Sequence, residues 1–276
     1  MKNIILSILL FFSISFALSD VDKKVDEMLL KAWQYYERGN YFMMLEQAQK
    51  TLKYSLKYNN PKGIAESYYY IGIAYFMMGD IDKALKYANK AIEYSKDKPN
   101  YKWKAYAHTL LAEIMLYLKK YDEALKHYRV VLKLSQENNN KKMIPITLLD
   151  IGNVYFYKKD YNKALKYYLE ALQKIKNIKI RPYYKALVNY NIAMAYFKLK
   201  DYKNAAKYFK VAAEIYKRIG NIKASVESSY FLAKSLMKSG DKDGALKVLK
   251  EFKPLAKKVF FRYKFEKLEK EIKKGQ

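Results

Sequence analysis

The sequence predicts an all-helical repeat protein, and three observations carry that prediction. The 276 residues include only 9 Gly and 5 Pro, too few turn formers for a sheet built of many short strands, while strong helix formers such as Lys, Leu, Ala and Glu dominate. One seven-residue motif recurs, placing a small residue at Ala84, Ala124, Ala164, Ala205 and Ala245, at spacings of 40, 40, 41 and 40. The segments on either side of each motif carry apolar residues three and four apart, the spacing of one helical face.

The elements follow in chain order. Lys2 precedes an uncharged, mostly apolar run of 15 residues, Ile4 to Leu18, and Ala17-Leu18-Ser19 sets small residues before a cleavage point at Asp20. This is the three-part pattern of a secretory signal, so residues 1–19 are read as a leader; the alternative is an uncleaved membrane anchor. The run is shorter than the roughly 20 residues of a transmembrane helix. Residues 20–252 are read as the repeat domain and 253–276 as a C-terminal capping helix.

Within the repeats the motif copies are Gly79 to Leu85, Lys119 to Leu125, Lys159 to Leu165, Lys200 to Ala206 and Gly240 to Leu246, with a degenerate first copy from Gly39 to Leu45. Each follows a helical stripe, such as Tyr68, Ile71, Gly72 and Tyr75, or Leu148, Ile151, Gly152 and Tyr155. The small residue at Gly72, Ala112, Gly152, Ala193 and Ala233 lets a partner helix approach closely. Asp80, Asp160 and Asp201 stand where a helix N-cap is wanted. Pro61, Pro99 and Pro182 fall in the turns before the next first helix, where a missing N–H costs least. Pro145 lies deeper and is expected to kink its helix or delay its start. Finally, Pro254 to Lys274 reads as one amphipathic helix, with Leu255, Val259, Phe260, Tyr263, Leu268 and Ile272 covering the open end of the core.

These residues resemble the tetratricopeptide repeat, over roughly residues 25 to 252 in about six copies. The period of 40 exceeds the common 34 and is similar to the longer-helix variants of Rap-type regulators and spindle-orientation scaffolds. The family's large first-helix aromatic is only partly kept: Tyr68 and His108 match, Leu148, Asn189 and Ser229 do not. The resemblance implies a right-handed superhelical solenoid of helix–turn–helix repeats, with first helices lining a concave groove. That register puts Trp33, Tyr36, Tyr69, Phe76, Leu149, Asn153, Phe156, Tyr190, Asn191, Met194, Phe197 and Tyr230 on the groove, an aromatic and apolar surface suited to a peptide or protein segment. Asn153 and Asn191 match asparagines of the chaperone-tail clamp, but Leu149, Glu227 and Phe231 replace its cations, which argues against such a ligand.

The charge of +27 attracts polyanions. Many lysines fall on the second helices, among them Lys83, Lys163, Lys203, Lys207, Lys210 and Lys247. They either solubilise exposed faces or bind an anionic envelope polymer or lipid. Nucleic acid is a poor fit, since no recognition motif accompanies the charge and the leader directs the chain outward. With 0 Cys and 2 His, thiolate chemistry is excluded, and His108 and His127, which can meet across a helix pair, lack the third ligand a zinc site needs. No phosphate loop, metalloprotease signature or nucleophile elbow is present. The sequence thus predicts a non-catalytic, cofactor-free interaction scaffold, exported to the periplasm or beyond, with homodimerisation through the solenoid ends as a further option.

Overall fold

The computed structural model describes residues 2–97 and 99–274, with side chains described in 20–97 and 99–274. The predicted leader, residues 1–19, lies outside the described side chains. Among the described residues the chain forms thirteen helices and no strand. They are α1 (Lys2–Glu37), α2 (Tyr41–Lys57), α3 (Pro61–Met77), α4 (Ile81–Ser95), α5 (Tyr101–Tyr117) and α6 (Tyr121–Glu137), then α7 (Met143–Tyr157), α8 (Tyr161–Lys176), α9 (Pro182–Lys198), α10 (Tyr202–Arg218), α11 (Ile222–Lys238), α12 (Lys242–Lys258) and α13 (Arg262–Lys274). This is the predicted class: six helical pairs and one further helix. Two compact units divide the chain, residues 1–134 and 135–276.

The recurring motif is the turn between the two helices of a pair. Its first residue adopts a left-handed backbone, at Gly79 (φ +85°), Lys119 (+60°), Lys159 (+63°), Lys200 (+63°) and Gly240 (+93°). The following N–H then reaches back to the last helical turn, as from Asp80 to the Tyr75 carbonyl at 2.9 Å and from Asp160 to Tyr155 at 2.9 Å. These bonds satisfy carbonyls that a helix end leaves orphaned. The next helix is capped by the motif's aspartate: Asp80, Asp160, Asp201 and Asp241 accept from the N–H three residues on. Asn40, Asn60 and Asn221 cap other helices in the same manner, and Asn100 accepts from the N–H two residues on.

The motif alanines are the core. Ala84, Ala124, Ala164, Ala205 and Ala245 are all fully buried, so each pair closes backbone to backbone with no room for a larger side chain. The small first-helix residues act likewise. A Cβ on Gly72 would meet Leu110 at 2.6 Å, and one on Gly152 would meet the Tyr168 ring at 2.5 Å. Pro61 and Pro182 occupy the first turns of α3 and α9. Pro145 delays rather than kinks: α7 starts at Met143, with Asn140 accepting from the Met143 N–H at 3.1 Å.

The C-terminal segment departs from the expected single helix. Pro254 sits inside α12 on its exposed side, where water can meet the carbonyl that the proline leaves unpaired. The helix ends later, at Val259, with Phe260 left-handed (φ +55°). Phe260 and Phe261 donate back to the Lys257 and Ala256 carbonyls at 3.4 and 2.9 Å, the double bond pattern of a Schellman cap. Restarting the helix at Arg262 shifts the register. Phe265, Leu268 and Ile272 face the core, each 1% exposed, whereas Phe260 (98%) and Tyr263 (75%) face solvent.

Candidate ligand-binding faces

In the second unit, α7 and α9 bring together Asn153, Phe156, Tyr190, Asn191 and Met194. With Tyr157 and Tyr168 they line a cavity of about 140 Å³. Its polar centre is ordered. The Asn153 Oδ1 accepts from the Tyr168 hydroxyl at 2.9 Å and from the Asn191 Nδ2 at 3.0 Å. Both lone pairs of that oxygen are thereby used, which fixes the orientation of the amide. Among the described residues the Asn153 Nδ2 and the Asn191 Oδ1 have no hydrogen-bond partner, and both side chains are half-buried. They leave one donor and one acceptor, the two kinds of group that a peptide unit itself presents. Burial pushes the Tyr168 hydroxyl well above its usual range, so it remains a donor at any physiological pH.

The other predicted residues of this unit are divided between face and core. Leu149 is a departure: at 2% exposure it is sealed inside, whereas Thr109, Tyr190 and Tyr230 at the same row are half-buried. Phe197 packs on Phe231 and Tyr202, with ring centroids 5.8 and 5.4 Å apart. Tyr230 stacks into the last cluster against Phe261 and Phe265. Tyr190 also turns its hydroxyl to the Glu227 carboxylate at 3.0 Å; burial first, and then Glu227, push its ionisation upward.

In the first unit, Trp33 lies beside Tyr36 at 5.3 Å, Tyr69 stacks on Tyr106 at 5.3 Å, and Phe76 meets Tyr117 edge-on at 5.6 Å. All four predicted residues, Trp33, Tyr36, Tyr69 and Phe76, are half-buried. Glu113 shares their face. Its side chain is exposed by area, yet protein crowds it enough that lost hydration pushes its carboxyl up to about 7. Solvent still reaches the group and screens it, which limits the energetic weight of that shift.

The two histidines do meet. The Nδ1 atoms of His108 and His127 are 2.9 Å apart, and among the described residues no group of three metal-ligating side chains surrounds them. They occupy the repeat positions of Tyr68 and Tyr87, whose rings sit 6.3 Å apart. The pair is thus a variant of a ring contact made in another copy.

The sequence profile of the MalT-like TPR region matches residues 68–273, about three-quarters of the 276 residues, and a tetratricopeptide repeat profile matches residues 28–97. The chain belongs to the MalT-like tetratricopeptide family. No curated protein sequence matches it. Among solved structures it is similar to a signal-transduction ATPase with numerous domains carrying a tetratricopeptide repeat sensor, from Pyrococcus horikoshii, at TM-score 0.80 and 20% identity, covering 92% of this chain and 39% of that one. The apo quorum sensor NprR from B. thuringiensis aligns at TM-score 0.67 and 19% identity, over 88% and 68% of the two chains. A Rap protein complexed with competence and sporulation factor aligns at 0.59 and 17%, over 88% and 78%. At these identities the likeness is one of fold.

Two features of this tetratricopeptide chain escaped the sequence reading. Tyr168 comes from a second helix, and its ring fills the space that Gly152 leaves open; the signal was a large residue four positions after a motif alanine, repeated at Tyr128 and Phe209. A second and larger cavity, of about 520 Å³, opens between α10, α11 and α12; for the second helices α10 and α12 the sequence suggested only lysine-rich surface. Among the described residues, no helix is long and apolar enough to cross a membrane.

Proposed function

We propose that this protein is an exported, non-catalytic interaction module that binds an extended peptide or protein segment on the first-helix face of its second unit. The observation that carries the reading is the ordered Asn153–Asn191 pair, which keeps one donor and one acceptor unpartnered among the described residues and lines a cavity together with Phe156, Tyr190 and Met194. A peptide backbone would bond to the two amides while an apolar side chain enters the cavity. The fold shared with NprR and with a Rap protein that was captured with a bound factor supports the class of ligand. The leader pattern of residues 1–19 supports export, and Asn153 and Asn191 bind by hydrogen bonding rather than by any catalytic step.

The test is a displayed random-peptide library panned against the purified chain, with the selected peptide titrated against variants. Each net hydrogen bond is worth about 0.5–1.5 kcal/mol, and tenfold in affinity is about 1.4 kcal/mol. Asn153→Ala with Asn191→Ala should therefore weaken binding by about tenfold or more with the helical circular dichroism unchanged. Met194→Glu, which closes the cavity with a charge, should abolish it. Undiminished affinity in both variants would remove the second-unit face as the site.

A further inference from the structure

The larger cavity is made by departures from the chain's own repeat. Where four motif copies carry Leu85, Leu125, Leu165 and Leu246, α10 carries Ala206. Two turns further, where Ile92, Leu132 and Leu172 stand in earlier copies, α10 carries Ala213. On the facing helix, Gly244 replaces the long polar residues Lys83, Glu123 and Lys163. All three truncated positions line the same cavity, about 520 Å³ in volume. The short side chains of Ala206 and Ala213, where other copies carry leucine or isoleucine, leave this space unfilled, and Gly244 adds no side chain to its wall.

The chemistry of the walls is two-sided. The floor is apolar, built from Leu232 and Leu236 of α11 and Val248 and Phe252 of α12. The rim is cationic. Lys203, Lys207 and Lys210 lie along one face of α10, and Lys247 projects from α12. Lys203, Lys210 and Lys247 have neither ion pair nor hydrogen bond among the described residues, and Lys207 lies only over the Tyr208 ring, at 5.9 Å. Lys217 is already paired with Glu251 at 3.2 Å. Two further carboxylates line the wall: Asp241, which is engaged in capping α12, and Glu214. Unpaired cations therefore exceed unpaired anions around an apolar floor.

The geometry points to this cavity as a binding site for a single-chain amphiphile with an anionic headgroup, the chain lying on Leu232, Leu236, Val248 and Phe252 and the headgroup held by the α10 lysines and Lys247. The volume falls in the small-molecule range of roughly 300–1,000 Å³. The site lies on different side chains from the Asn153–Asn191 face and stands or falls independently of it.

Isothermal titration of the full chain with dodecanoate, below its micellar concentration, tests the proposal. Saturable binding at one site per chain is expected, with no comparable binding of dodecyltrimethylammonium, which has the same tail and the opposite charge. Ala206→Leu, which restores the chain's own repeat residue, should weaken dodecanoate at least tenfold while the thermal midpoint stays level or rises. Lys207→Glu with Lys210→Glu, changes confined to the exposed rim, should weaken it at least tenfold as well, and this variant decides the matter if Ala206→Leu does not fold. Vesicles of phosphatidylglycerol separate the cavity from general surface charge. Vesicle binding without dodecanoate binding overturns the proposal, as does equal affinity for the two amphiphiles or an affinity untouched by Ala206→Leu.

Discussion

His108 and His127 show how one residue choice changes what a repeat position can do. With Nδ1 atoms 2.9 Å apart, one neutral imidazole donates and the other accepts. A proton added to the accepting Nδ1 puts donors on both sides, and a proton on either ring places a charge in a half-buried site. His108 is accordingly lowered to about 4, by burial first and then by His127 and Lys104. His127 is lowered chiefly by burial, with Lys126 adding to the effect and Glu123 opposing it. The unfolded value is near 6.5, so between about pH 4 and 6.5 the unfolded chain binds more protons than the folded one. Stability from this pair is then complete above pH 6.5 and is lost as pH falls toward 4. At about 1.4 kcal/mol per pKa unit an unscreened shift of this size would give about 3 kcal/mol, and solvent around the half-buried pair screens the loss to well below that. Urea denaturation across pH 4–7.5 should show this extra slope relative to His108→Tyr with His127→Tyr, which rebuilds the ring pair of the Tyr68–Tyr87 copy. Parallel curves for the two proteins would assign the acid sensitivity to carboxylates instead.

At the scale of elements, the contact between α7 and α8 depends on a glycine that sequence alone shows only as a small residue. The Tyr168 ring lies where a Cβ of Gly152 would stand, 2.5 Å from its nearest atom, and its hydroxyl orders Asn153. Gly152→Ala should cost about 1–3 kcal/mol, the usual penalty of overpacking. Much of that should disappear in a Tyr168→Leu background, so chemical denaturation of the four proteins gives a double-mutant cycle. Additive costs would mean that ring and glycine are not the source of strain. Much of this architecture was legible beforehand, because it rests on local rules. The buried alanines recur at a fixed period, capping aspartates precede four of the six second helices, and the first-helix register places Asn153, Asn191 and Met194 together. What was hidden depended on tertiary context. Phe260 takes a left-handed cap position that glycine normally signals, Pro254 is tolerated because it faces outward, and Leu149 is buried in a row whose tyrosines are half-buried. The exchange of leucine for Ala206 reads as one apolar residue for another until the neighbouring helices show that nothing fills the space.

For the whole molecule, the dominant electrostatic fact is an excess of 54 basic over 27 acidic residues. The ion pairs that offset it are mostly exposed neighbours on one helix, such as Lys83–Asp80, Lys163–Asp160 and Arg262–Glu266. Exposed pairs of this kind typically contribute about 0–1 kcal/mol. Salt screens these attractions and also the repulsion among the remaining lysines, so the sign of its net effect shows which is larger. Attraction acts over a few ångströms, within single pairs, while repulsion sums over many lysines at longer range. Screening lengths of about 30 Å at 0.01 M and 10 Å at 0.1 M remove the long-range term first. The thermal midpoint should therefore rise as sodium chloride increases from about 0.01 to 0.15 M, and change much less between 0.15 and 0.5 M. A midpoint that falls over the lower range would show that local ion pairs outweigh self-repulsion. A lysine-rich surface kept apart mainly by its own charge is also one that an anionic ligand stabilises by neutralising it. Low salt is accordingly the condition in which ligand-induced shifts in the midpoint should be largest.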